Sequence, residues 1–410
     1  MNFHDFASPE FFENPYPFYE KIRGAGAIVP VGPNAVVTGR ASVIEALLRH
    51  RGMGKTYLQS VIARYGESAP SQPVFKALSR TFLLLNPPMH TSLRANLMQA
   101  FNARQVDKLR DIVESTASRL AERLAAQQEF DVMRDYALPL PVEIICRLLD
   151  IPREHGEKLG ADASRLVAAF DLAPLNDAAL AEANQAALSL EAYFRIVVAQ
   201  RRTTPGDDIV SSLLSVAEGG VPLTDDEVIS NVILLFIAGH ETTSNMIGNA
   251  LISLHRHPEK LAELKREPAL MPKAVLECMR YDSSVHMVVR TALEEVVVDE
   301  VTLAPGTIVF MLIGAANRDP DLYVQPDQID FERAENTRFL SFGAGIHYCL
   351  GARVALLEIE VALKTLFRYF PDLQIVEPDR LQWHQRNNLR GVHSLTARTA
   401  AHTAAVRETT

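Results

Sequence analysis

The chain predicts a mainly α fold with small β-sheets, an α+β architecture in a single domain. Three observations predict it. Apolar residues recur three or four apart through most of residues 88–280. A capped apolar segment of roughly 30 residues follows position 224, long enough to cross a whole domain at 1.5 Å per residue. The period shortens to strand-like runs mainly at the N-terminal end and between 289 and 312.

Taken in order, the first part mixes short strands with Pro and Gly turns, as in Ala27-Ile28-Val29-Pro30-Val31 and Ala35-Val36-Val37-Thr38-Gly39. Residues 69–73 and 173–175 read as loops. Helical stripes cover 106–127, 141–149, 178–202 and 261–266. Thr224-Asp225-Asp226-Glu227 is a capping box, with Thr at the cap and Glu three residues on. The helix it starts runs to about 257, where Pro258 stops it. Its first half is apolar all round and belongs in the middle of the domain. Val296-Val297-Val298, Val301-Thr302-Leu303 and Ile308-Val309-Phe310 read as strands around a Pro305-Gly306 turn. A last long helix runs from near 350 to about 369. The domain is expected over 1–398, with 399–410 a small, polar tail.

The 410 residues carry 41 basic and 50 acidic side chains, a net charge of −9. That balance argues against nucleic acid as the main partner. The cysteines are Cys146, Cys278 and Cys349; three without a CxxC pair argue against a disulfide framework. No basic segment followed by an apolar run opens the chain, and the apolar stretch 232–239 is too short to span a bilayer. The expectation is a cytoplasmic protein, off the membrane and monomeric.

Phe342-Gly343-Ala344-Gly345-Ile346-His347-Tyr348-Cys349-Leu350-Gly351 places three glycines around one cysteine just before a helix. A cysteine there sits where free N–H groups and the macrodipole favour a thiolate. One thiolate cannot hold zinc, and no second ligand lies nearby. One axial thiolate is what a haem needs. The alternative is a glycine-rich turn around a structural cysteine. Cys146 and Cys278 read as core filling. His255 and His257 flank a helix end and read as solvated.

This decapeptide resembles the cysteine-ligand loop of the cytochromes P450, Phe-Gly-x-Gly-x-His-x-Cys-x-Gly, and the resemblance extends over nearly the full length. It implies the P450 fold, with haem b held between the long central helix and the loop before the last helix. Cys349 would be the iron ligand. Ala238, Gly239, Phe342, Gly343 and Gly351 would contact the macrocycle. Glu277 and Arg280 lie three apart on one helix face. The resemblance makes them a structural brace with Arg333; a surface ion pair is the alternative. Ala315-Ala316-Asn317-Arg318-Asp319-Pro320 also looks like a family segment. His90 and Arg94, one turn apart after Pro87-Pro88, would bind a haem propionate, as would Arg290 and His347.

Ala238-Gly239-His240-Glu241-Thr242-Thr243 interrupts the apolar helix; glycine there costs about 1 kcal/mol. By resemblance this is the oxygen-binding groove. Thr242 would hydrogen-bond oxygen, and Glu241, where many relatives have Asp, would relay protons. The alternatives are a threonine bonded back to a helix carbonyl, or a zincin motif, which fails because position 244 is Ser. A substrate pocket is expected from Leu234, Leu235 and Ile237, from His286, Val288 and Val289, from the loop at about 55–85, and from Val392-His393. His286 could equally be a turn residue.

The resemblance implies a monooxygenase inserting one atom of O2 into a bulky apolar small molecule, such as a polyketide, free or bound to a carrier protein. No flavin or iron–sulfur motif is present. Electrons would therefore come from NAD(P)H through a ferredoxin reductase and ferredoxin, docking near Arg104 and Arg353. A hydrogen-peroxide-driven peroxygenase and a haem-based gas sensor or binding protein are the competing readings. The Glu241-Thr242 pair speaks against both.

Overall fold

The computed structural model describes residues 6–100, 103–171, 173–215, 222–334 and 338–400, and of residues 100 and 103–108 the backbone alone. The fold is helical with three small sheets. The expected tail lies outside the described residues from 401 on, while Thr399 is tied to Asp372 by a 2.7 Å bond. Among the described residues no helix is long and apolar enough to cross a membrane.

The central helix, Asp225–His255, organises the rest. Its capping box forms as the sequence requires: Glu227 N–H donates to Thr224 Oγ1 at 3.3 Å, and Thr224 N–H to Glu227 Oε2 at 2.8 Å. Its two halves enter different cores. Val228–Ile237 packs with the helices Pro139–Leu148, Gly156–Val167 and Asp177–Thr203. Met246–Leu254 packs with Met271–Tyr281 and Ala352–Tyr369. Each half buries its whole circumference, which is why no polar face appears in its sequence. Between the halves, Ala238 is exposed and Gly239 and Thr242 are half-buried. The helix stays continuous through Gly239.

The main sheet has five strands in the order Val29–Gly32, Ala35–Thr38, Ile308–Leu312, Met287–Ala292, Met53–Gly54. Ala35–Thr38 and Ile308–Leu312 run parallel; the other pairs are antiparallel. Val296–Val298 and Val301–Leu303 form a separate hairpin. Glu129–Asp131, Thr396–Arg398 and Gln374–Ile375 make the third sheet.

Sequence patterning undercounts helices near the N-terminus. Tyr16–Ala25, Ala41–Arg49, Tyr57–Tyr65 and Pro73–Ser79 are all helical, so the expected loop at 55–85 is largely two helices. Pro73 opens the last of these instead of breaking it, because a proline in the first turn lacks only an N–H that has no helical partner. His255 and His257 are half-buried and bonded to carbonyls. His255 lies within bonding distance of the Leu251 and Leu373 carbonyls, at 2.7 and 3.1 Å, and His257 of Ser253 O at 2.8 Å.

Candidate cofactor and active site

The cysteine loop is a closed turn. Gly343 and Gly345 adopt φ of 71° and 68°, a region side chains resist. A Cβ on Gly345 would also collide with the Leu48 carbonyl oxygen, so the loop lies directly on the helix Ala41–Arg49. Cys349 N–H donates to Phe342 O at 2.9 Å, joining the ends of the loop. The helix Ala352–Tyr369 follows with Gly351 at its cap. Burial pushes the Cys349 thiol up, while the Gly351 N–H and the Arg94 guanidinium pull it down. Cys146 and Cys278 lie in apolar cores, and burial raises the Cys146 thiol to about 12.

Around this loop the structure gathers basic side chains without acids. The His90 ring lies 4.2 Å from the His347 ring, centroid to centroid. His90 is 1% exposed, and neither of its ring nitrogens has a partner. His347 Nδ1 and Arg94 Nη1 are likewise buried and unpartnered. Arg94 Nη2 donates to Tyr348 O at 2.6 Å, and buried Arg290 Nη1 to Val289 O at 2.9 Å. Burial, Arg94 and Arg290 lower the His90 pKa to about 4; burial alone lowers Arg290 to about 10. No carboxylate among the described residues pairs with any of these four. Buried donors with nothing to donate to cost several kcal/mol in sum (about 1–3 each). Two carboxylate groups between them would satisfy the set, so the residues present fit the propionates of a haem beside a single thiolate.

The brace forms as expected, and it is buried. Arg280 grips both oxygens of Glu277 at 2.8 Å, and Arg333 Nε reaches Glu277 Oε1 at 3.1 Å. Glu277 is 0% exposed, which excludes a surface ion pair. The guanidiniums also take the carbonyls of Asn317, Val324, Pro326 and Gln328. Asn317 carries the brace to the loop, accepting from Leu340 N–H at 2.7 Å and donating to Ser341 Oγ at 2.9 Å.

On the central helix, Leu235, Ala238, Gly239 and Thr242 fall on one stripe by their i, i+3, i+4, i+7 spacing. Thr242 Oγ1 donates back to Ala238 O at 2.8 Å. Glu241 is buried; one oxygen pairs with Arg386 and Oε2 has no partner. Arg386 was invisible in the sequence, lying 145 positions away in an irregular segment. His240 faces elsewhere, its Nδ1 2.7 Å from Phe236 O, and no cluster of metal-ligating side chains exists among the described residues.

The pocket residues divide. Leu234 and Leu235 are buried next to the exposed stripe. Ile237 is buried in the same apolar core. Val288 and Val289 are half-buried on opposite faces of their strand, Val288 sharing the face of Arg290. His286 is buried and lines a small cleft with Tyr19, Arg386 and Arg390. Its Nδ1 is 2.9 Å from Tyr19 Oη and its Nε2 3.3 Å from Asp282. Val392 is buried and bridged to Trp383. His393 is exposed and meets the His384 ring edge to face, centroids 4.0 Å apart. Arg353 is exposed; the Arg104 side chain lies outside the described residues.

A thiol-bearing loop, an anion-seeking basic cluster and a notched apolar helix define a haem-protein architecture. The family model for cytochrome P450 matches residues 53–382, and the chain belongs to the cytochrome P450 family. It is 47% identical to "Putative cytochrome P450 133B1" of Xylella fastidiosa, over 96% of this chain and 98% of that one. The crystal structure of P450BioI in complex with hexadec-9Z-enoic acid ligated acyl carrier protein superposes with a TM-score of 0.88, at 32% identity, covering 95% of this chain and 100% of that one. The Bacillus subtilis bacillaene polyketide synthase cytochrome P450 PksS superposes with a TM-score of 0.86, at 30% identity, covering 96% and 99%. Membership makes the chain an oxygenase with a haem-thiolate iron cofactor.

Proposed function

We propose that Cys349 is the axial thiolate, and that the enzyme inserts one atom of O2 into a bulky apolar small molecule, hydroxylating or epoxidising it. The observation that carries this reading is the acid-free basic cluster beside the Cys349 loop. Bound there, a haem supplies the oxygen-activating and C–H-oxidising chemistry. The protein supplies position, charge and protons. Arg94 and Arg290 would neutralise the propionates, and His90 and His347 would donate hydrogen bonds to them. The Gly351 N–H and Arg94 favour the thiolate against the burial that raises the thiol, with its deprotonation completed on binding the iron. Thr242 can turn its hydroxyl from Ala238 O toward the notch, and Glu241 can pass a proton through its free Oε2. Leu234 and Leu235 keep the wall beside that notch apolar.

Electrons are expected from NAD(P)H through a ferredoxin and its reductase. The polyketide-synthase oxygenase and the carrier-protein complex among its structural relatives support a secondary-metabolite or acyl substrate, free or carrier-bound. The carbon monoxide difference spectrum of the reduced protein tests the ligand: a thiolate-type Soret band is expected, and a histidine-type band would overturn the proposal. Turnover with ferredoxin, reductase and NAD(P)H is expected to exceed peroxide-driven turnover. The reverse would favour the peroxygenase, and oxygen binding without turnover the sensor.

A further inference from the structure

The edge strand Met53–Gly54 pairs antiparallel with Met287–Ala292, Met53 opposite Ala292 and Gly54 opposite Thr291. One more step in that register sets Lys55 opposite Arg290. Thr56 Oγ1 and Thr291 Oγ1, 2.7 Å apart, keep the two chains together beyond the ladder. Like charges across an antiparallel pair are destabilising, and here both cations crowd one acceptor. Lys55 Nζ donates to Val289 O at 3.1 Å, and Arg290 Nη1 to the same oxygen at 2.9 Å.

The lysine is held in place from its main chain. Lys55 N–H donates to Asn86 Oδ1 and Asn86 Nδ2 to Lys55 O, both at 2.8 Å. Burial and Arg290 hold its ammonium well below the ordinary range, and His347 feels its charge. No acid among the described residues offsets it. Placing a second buried cation beside Arg290 is costly unless an anion joins them.

We propose that Lys55 is a carboxylate-binding residue of the site, its ammonium taking one carboxylate together with Arg290. The carboxylate comes either from a haem propionate or from an acidic substrate. The inference rests on the haem site proposed above. That reading stands or falls on the wild-type carbon monoxide spectrum, whereas Lys55 is tested by the difference between wild type and variants.

The test compares K55Q and K55R holoproteins with wild type in two measurements: the rate of haem transfer to excess apomyoglobin, and Soret titration with tetradecanoic acid and its methyl ester. A lost charge-assisted bond is expected to speed haem loss about tenfold in K55Q, with K55R close to wild type; this identifies the propionate. Unchanged haem retention, with about tenfold weaker binding of the acid and unchanged binding of the ester in K55Q, identifies a substrate carboxylate. K55Q matching wild type in both measurements overturns the proposal. So does K55R failing as badly as K55Q, since the effect would then follow side-chain shape and not charge.

Discussion

Glu241 and Glu358 are both buried acids of long helices, and their surroundings set them opposite tasks. Glu241 shares an ion pair with Arg386 and keeps one oxygen free. Its Gln variant is expected to turn over about 100-fold more slowly, as for a lost general acid–base, with an unchanged carbon monoxide spectrum. Arg386→Gln strands the same carboxylate and is expected to slow oxygen-driven product formation about tenfold, read as product per NAD(P)H consumed. Among the described residues no cation pairs with Glu358, and burial pushes its pKa well above the carboxylate range. The folded state therefore holds a proton that the unfolded chain releases near its ordinary pKa of about 4.3. Stability from this group is full below that pH and falls as pH rises toward the folded pKa. Glu358→Gln should melt higher than wild type at pH 8 and no higher at pH 4, by calorimetry. Glu241 was readable because it sits in a spaced motif; Arg386 was not, because no local pattern encodes a partner 145 residues distant. His286 shows a different case: the sequence offered a pocket contact or a turn residue, and the structure buries it with Nδ1 2.9 Å from Tyr19 Oη and Nε2 3.3 Å from Asp282.

At the scale of elements, boundaries followed end chemistry closely. The capping box set the start of the central helix at Asp225, and Pro258 begins the next helix three residues past His255. Thr224→Ala is expected to cost about 1 kcal/mol in urea unfolding. The buried brace should cost more: Arg280→Met leaves the Glu277 carboxylate with Arg333 alone and is expected to lose about 3 kcal/mol. A triple variant, Glu277→Leu with Arg280→Met and Arg333→Met, should recover part of that loss, because no lone charge stays buried. Spacing alone could not distinguish this brace from a surface pair. Burial decides it, and burial is set by where Gln325, Pro326 and Gln328 wrap around it. The N-terminal helices were missed for a different reason. They are short, and proline or glycine lies close to their ends, where single residues speak louder than the stripe.

At the scale of the molecule, the basic cluster makes the cofactor-free protein acid-sensitive. The His90 pKa is lowered to about 4, so folding discards a proton that the unfolded histidine binds below about 6.5. The stability this represents is present above pH 6.5 and is lost as pH falls toward 4. Between pH 7 and 5 the apoprotein's melting temperature should drop, His90→Asn should drop less, and haem-loaded protein should drop least. The fold class and the site loop were legible because helix periodicity and a ten-residue motif are local signals. How the basic residues meet depends on strand pairing between distant segments, which the sequence does not announce.

That pairing also sets a schedule. Ile308–Leu312 and Met287–Ala292 slot between Ala35–Thr38 and Met53–Gly54, so the N-terminal strands wait about 250 residues for their neighbours. At about 5–20 residues per second, that is roughly 10 to 50 s during which a growing chain exposes unpaired strand edges. Capture of the cofactor then belongs to the final moments of synthesis, after the ribosome has delivered nearly everything that touches it.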